Sequence, residues 1–151
     1  MAAVAALPGF LYVPFQLHRL GPLPDNAAEV EAFADGQLRG YRLLASLERA
    51  TGDRCVVYAF NADHLHSYAR VPLLGTWGGP WGYEWVGPLL GDPPRLHRAL
   101  RGSGVTHLLL PASDVPPALR AGGDGRFRLV GEEDGYVAFA VLAPPRGARR
   151  R

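Results

Sequence analysis

Lysine is absent from the chain, and all 16 of its basic residues are arginine. Without lysine there is no Gly-Lys-Ser/Thr phosphate loop, and no Gly-x-Gly-x-x-Gly run follows any candidate strand. Triphosphate and dinucleotide sites of the usual kinds are therefore not expected, and neither is a cofactor. Cysteine is nearly absent too: a lone Cys55 excludes an intrachain disulfide and a cysteine-based zinc site, and leaves the compartment open. No apolar run reaches about 18 residues, which excludes a clean membrane span. Charged residues are only 20% and the formal net charge is +2. Four arginines, Arg146, Arg149, Arg150 and Arg151, crowd the last six positions. The rest of the chain is close to neutral, so a pI near 9.0 does not make a nucleic-acid footprint, and no nucleic-acid partner is expected.

What the sequence does have is apolar residues, at 48% of 151 positions. That suffices for the core of one domain and excludes a wholly disordered chain. The opening MAAVAALPGFLYVPFQL carries no charge before Arg19 and lacks the basic n-region of a secretory signal. Residues 1–20 read either as the trailing stub of a transmembrane helix or as an arm packed on the domain. The α/β domain is expected over residues 25–143, and residues 144–151 as a basic mobile tail.

Within the domain, Asp25 or Asn26 caps a first helix whose early turns carry Glu29 and Glu31. Leu43, Leu44, Leu47 and Ala50 form a helical stripe after Tyr41, stopped by Gly52. Arg54 to Phe60 is a continuous β-branched and aromatic run, as in a strand buried on both faces. A short helix is expected near Asp63 and a poorer strand at Val71 to Leu74. Asp92 caps a helix with Pro93 at its first position, burying Leu96, Ala99 and Leu100. Val105 to Leu110 is a third strand, and Asp114 caps a short helix ending at Gly122-Gly123. Phe127–Val130 and Tyr136–Leu142 make a hairpin around Glu132-Glu133-Asp134-Gly135. Helices alternating with buried strands predict an α/β fold: a three-layer, mostly parallel Rossmann-like sheet with a C-terminal antiparallel hairpin.

Few residues suggest chemistry. Asp63-His64-Leu65-His66 groups two imidazoles with a carboxylate, but His-x-His shares a face only in a strand, and the context is a turn. A capping aspartate beside two ordinary histidines is the simpler reading, and no metal is expected. His107, inside an apolar strand, reads as a satisfied core or edge histidine. Cys55 opens a buried strand, where a thiol is inert more often than reactive. Ser46, Ser67, Ser103 and Ser113 lack the flanks of a nucleophile elbow. Residues 75–91 hold all three tryptophans and six glycines. There Trp77, Trp81, Tyr83, Glu84 and Trp85 offer flat apolar faces beside a carboxylate, suited to a sugar ring or a lipid-headgroup interface. The alternative is that these aromatics roof the sheet.

The order of elements resembles the C-terminal soluble domain of bacterial membrane glycosyltransferases related to dolichyl-phosphate-mannose–protein mannosyltransferases. The resemblance rests on the helix Tyr41 to Ala50, the strand Arg54 to Phe60, and the run from Leu96 to Leu110 with its Gly104-Val105-Thr106-His107 core. It also includes the strand Tyr136 to Leu142. It implies an extracytoplasmic, membrane-associated accessory domain of a polyprenyl-phosphate-sugar-dependent enzyme. Its partner would be the membrane body of the parent glycosyltransferase, and a glycan or lipid-linked sugar would be a contact of the aromatic loop. The family's catalytic acids lie in loops between early transmembrane helices, so the resemblance carries over no catalytic residue. The chain would then be a piece of a longer protein or a free-standing relative. The alternative is a free-standing α/β module binding a small ligand at the carboxyl ends of its strands, near Asn61, Ala62 and Pro111. A metal-dependent enzyme built on Asp63, His64 and His66 is a third.

Overall fold

The computed structural model describes residues 24–75 and 86–143. The chain divides into two compact units, Met1–Gly36 and Gln37–Arg151. The first contributes all but the last residue of helix α1 (Ala27–Gln37). Its start is a reciprocal cap. The Asn26 side chain accepts the Glu29 N–H at 3.0 Å and donates to the Glu29 carboxylate at 2.7 Å, while the Asp25 N–H donates to that same carboxylate at 2.9 Å. Of the two caps that the sequence offers, Asn26 is therefore the one that accepts from the helix backbone.

The second unit opens on helix α2 (Tyr41–Thr51), which buries Tyr41, Leu43, Leu44 and Leu47 and stops at left-handed Gly52. Strand β1 (Val57–Ala59), strand β2 (Leu73–Gly75), helix α3 (Pro93–Gly102), strand β3 (His107–Pro111), helix α4 (Pro117–Arg120) and strands β4 (Phe127–Glu133) and β5 (Tyr136–Val141) follow. Asp92 accepts the Arg95 N–H at 3.1 Å, and Pro93 occupies the first position of α3, where its missing N–H costs no helical bond.

The strands form one five-stranded mixed sheet of order β2-β1-β3-β5-β4. Its core, β2-β1-β3, is parallel. Strand β5 runs antiparallel to β3 and to β4, so the C-terminal hairpin extends the sheet. Asp134 and Gly135 both take positive φ, 53° and 78°, which suits the two-residue turn whose twist matches paired strands. The α/β class and the closing hairpin thus agree with the sequence.

The three residues of β1 and the six of β5 are all buried. The pairing register sets rows across the sheet: Tyr58, Leu108 and Phe139 stand together, and so do Val57, His107 and Ala140. Tyr58, Phe60, Leu108, Leu110, Val137, Phe139 and Val141 form one cluster with Leu96 and Leu100 of α3 and Leu119 of α4. Helix α2 packs on β4 and β5. Edge strand β4 leaves Leu129 and Val130 exposed, with a bulge between Leu129 and Gly131.

Several boundaries differ from the sequence-based expectation. The strand expected over Arg54 to Phe60 is only Val57–Ala59, because a 3-10 turn takes Gly52–Arg54. Glu132 and Glu133 belong to β4, not to the turn, since they pair with Val137 and Tyr136. Asp114 does not cap the following helix, whose N-cap is Pro116; its carboxylate accepts from Asn61 and Ser113 instead. Ala99 is only half-buried, and His97 joins Leu96 and Leu100 on the buried face of α3. The apolar residues 1–20 and the basic tail 144–151 lie outside the described residues. Among the described residues no helix is long and apolar enough to cross a membrane.

The start of α2 rests on one glycine. Gly40 has φ 80°, and a Cβ there would lie 2.9 Å from the Tyr136 ring. Gly40→Ala is expected to lower the unfolding free energy by about 1–3 kcal/mol, from left-handed strain and that clash. Gly102→Ala has nothing within 4 Å of the added carbon and should instead stabilise by up to about 1 kcal/mol. Urea midpoints of the two variants check the difference in sign.

Candidate functional site

Two polar clusters lie at opposite ends of the central parallel strands. At the amino end, the Thr106 hydroxyl accepts the Val56 N–H at 2.9 Å and donates to the Val56 carbonyl at 3.0 Å. The backbone N–H groups of Thr106 and His107 also donate to that carbonyl, at 2.9 and 3.1 Å. The His107 Nδ1 lies 2.9 Å from the Thr106 hydroxyl oxygen and 3.7 Å from the Cys55 sulfur. Since the hydroxyl proton is committed to Val56, Nδ1 carries the ring proton and donates to Thr106.

That tautomer decides what the cysteine–histidine pair can do. Activating a thiol requires a free imidazole lone pair to take its proton, and the nitrogen nearest Cys55 is already a donor. Burial pushes the Cys55 thiol up, which outweighs the hydrogen bonds from Thr51 and Thr106 that pull it down; the Glu48 charge adds to the rise. Burial pushes His107 down, and Arg128 adds to this from the same row of the sheet. Both groups are thus held neutral. Thiolate and imidazolium are each disfavoured. It is the buried His97, and not the half-buried His107, that meets a backbone carbonyl: its Nε2 donates to Leu142 at 2.6 Å, and its ring stands edge-on to Phe127.

At the carboxyl end, β1 runs into Asn61 and β3 into Asp114. Strand β1 connects onward to β2 on one side of the sheet, and β3 leads to the β4–β5 hairpin on the other. The gap between the ends of β1 and β3 is thus the point where the winding reverses, the usual place for a ligand in an open α/β sheet. Asn61 Nδ2 donates across it to the Asp114 carboxylate at 3.2 Å. Asn61 has φ 47°, a left-handed conformation that asparagine tolerates better than most residues. Its carbonyl accepts the Tyr136 hydroxyl at 2.6 Å. Burial pushes the Tyr136 phenol up; Arg39 opposes the shift, while Asp114 and Asp63 add to it.

Around this gap, His64 Nε2 donates to the Arg39 carbonyl at 2.9 Å, and its ring stands edge-on to Tyr136 at 6.1 Å. The Arg39 side chain donates to the Asp134 carbonyl at 3.2 Å. His64 is therefore engaged with a backbone oxygen, whereas His66 is exposed one residue past the 3-10 turn Asp63–Leu65. No group of three or more histidine, cysteine, aspartate or glutamate residues among the described residues is arranged to hold a metal ion. Asn61, Ala62 and Pro111 do lie at this end of the sheet. Tyr136 and Arg39 are additions that the sequence did not point to, because each reaches the site from a distant part of the chain, and Asp114 is a third. The one available signal was Asp114 just past a buried strand. Trp77, Trp81, Tyr83, Glu84 and Trp85 lie outside the described residues.

No protein-family model matches the chain, and no curated protein matches it.

Two predictions come from the amino-end cluster. Thr106→Val removes the partner of the Val56 N–H and is expected to cost about 1–3 kcal/mol, read from urea unfolding. His107 is held below its ordinary value, so as pH falls below about 6.5 the unfolded chain takes up a proton that the native state resists. Native stability conferred by neutral His107 is present above that pH and lost on acidification. His107→Asn, which keeps a donor near the Nδ1 position, should flatten the fall of the urea midpoint between pH 7 and pH 5.

Proposed function

We propose that this chain is an extracytoplasmic α/β accessory domain of a polyprenyl-phosphate-sugar-dependent membrane glycosyltransferase, non-catalytic by itself. In this reading it is a three-layer, Rossmann-like unit, with α2 on one face of the sheet and α3 and α4 on the other. The observation that carries the reading is the use made of the Gly104-Val105-Thr106-His107 core, the most specific part of the resemblance. Thr106 and His107 spend their polar atoms on the backbone of Val56 and on each other. Residues with that task support a fold and carry out no reaction, as befits a domain whose parent keeps its catalytic acids elsewhere. The aromatic residues Trp77, Trp81, Tyr83 and Trp85, with Glu84, would then contact a glycan or lipid-linked sugar at the membrane face. The membrane body of the parent enzyme would be the partner.

A second reading is favoured by the carboxyl-end gap. Asn61, Asp114 and Tyr136 meet where open α/β sheets bind small molecules, and Asn61 holds a left-handed backbone there. A free-standing module binding a small ligand at this point would use the Asp114 carboxylate and the Asn61 amide as its polar contacts.

One experiment separates the two: the reading frame ahead of Met1, taken together with the N-terminus of the cellular protein mapped by mass spectrometry. An extension carrying several hydrophobic spans is the expected result. A cellular protein starting at Met1 overturns the membrane reading. In that case, a thermal shift with a small metabolite that Asp114→Ala abolishes is expected of the second.

A further inference from the structure

The outward side of α3 and the turn before it border a shallow, open surface depression of about 330 Å³, lined by Leu89, Arg95, Arg98 and Ala99. Its size falls in the usual range for small-molecule sites, roughly 300–1,000 Å³. Leu89 is half-buried and packs against the main apolar cluster, so this wall of the depression continues the core. The two arginines are exposed and stand one helical turn apart. Arg95 has Asp92 for an ion partner at only 3.9 Å, and that carboxylate already caps the helix. Among the described residues, no carboxylate lies within ion-pair distance of Arg98. By contrast, Arg120 faces Glu132 at 3.3 Å and Arg126 faces Asp124 at 3.4 Å.

Two weakly committed guanidinium groups beside an apolar wall match an anion joined to hydrocarbon. Planar guanidinium forks grip phosphate oxygens in pairs, which an ammonium does not. Bare phosphate would leave Leu89 and Ala99 uncovered, and an uncharged lipid would leave the guanidinium groups unmatched. We propose that this depression binds the phosphate headgroup of an anionic phospholipid, with Arg95 and Arg98 on the phosphate and Leu89 and Ala99 beside the glycerol and first acyl carbons. The proposal deepens the membrane reading above and rests on it only for placing the domain beside a bilayer.

The test uses the full chain and dihexanoyl phosphatidylglycerol below its micelle concentration, titrated by NMR and calorimetry. Dihexanoyl phosphatidylcholine and inorganic phosphate serve as comparators. Saturable binding of phosphatidylglycerol is expected, at least about tenfold tighter than either comparator and weakened about tenfold in R95Q/R98Q. The single variant R98Q should lie between, and a thermal midpoint for each checks that the fold is kept. A variant with Arg149, Arg150 and Arg151 changed to Gln should bind like the parent chain. Undiminished binding in R95Q/R98Q, loss in the tail variant instead, or inorganic phosphate binding as tightly as the lipid would each overturn the proposal. Binding is read on this chain alone, so its failure is distinct from the finding of a start at Met1, which tests the membrane reading.

Discussion

The Thr106 hydroxyl joins the two central strands by taking both backbone groups of Val56 at once. A parallel pair has slanted, evenly spaced bonds and no tight turn to hold its register, so the register of β1 against β3 needs a device of its own. Here a side chain just ahead of β3 closes on the backbone just ahead of β1. With Val57 set opposite His107, the rows across the sheet follow. Tyr58, Leu108 and Phe139 fall on the side of α3, and β3 runs two residues past Leu109, the partner of the last residue of β1. A slip of one residue would exchange the faces on which the side chains of the slipped strand lie and would carry Asn61 away from Asp114.

Long-range consequences of this kind set the limit of what the sequence discloses. Helices α2 and α3 were legible because their stripes and stops are local: Leu43, Leu44 and Leu47 before Gly52, and Asp92-Pro93 ahead of Leu96 and Leu100. The hairpin was legible from Asp134-Gly135. Strand ends were less so, since Arg54 to Phe60 is uniformly apolar and only the 3-10 turn at Gly52–Arg54 decides where pairing begins. Asp114 had the look of a cap, yet Asn61, 53 positions earlier in the chain, engages its carboxylate. The carboxyl-end gap could be placed from the fold class alone, near Asn61, Ala62 and Pro111. Its remaining members could not: Arg39 and Tyr136 come from a helix junction and an antiparallel strand whose neighbours depend on sheet order.

The two ends of the sheet divide the polar groups by how they meet water. At the amino end, Cys55 is buried and Thr106 and His107 are half-buried, and desolvation favours the neutral form of the thiol and the imidazole. Hydrogen bonds there are few, mutual and complete, and no buried polar side-chain atom among the described residues is left without a partner. At the carboxyl end, Asn61, Asp63 and Asp114 are exposed, while burial keeps Tyr136 beneath them a neutral phenol. The first arrangement suits a fastening, and the second leaves charge at the surface.

The same division explains why arginine is informative on α3 even though the chain uses no other basic residue except histidine. Arginines such as Arg39 and Arg120 lay their guanidinium groups on backbone carbonyls, where five donors in a planar fork serve as structural ties. Arg120 also pairs with Glu132 at 3.3 Å. Arg98 makes no such tie among the described residues, although it projects from a helix that is otherwise well anchored through Leu96, His97 and Leu100. A rigid helical base limits the entropy lost on holding a ligand, whereas ordering the free Arg98 side chain adds to it. The combination of that base, an apolar wall and an uncommitted fork, more than the count of positive charges, sets this side of α3 apart from the basic residues elsewhere in the chain.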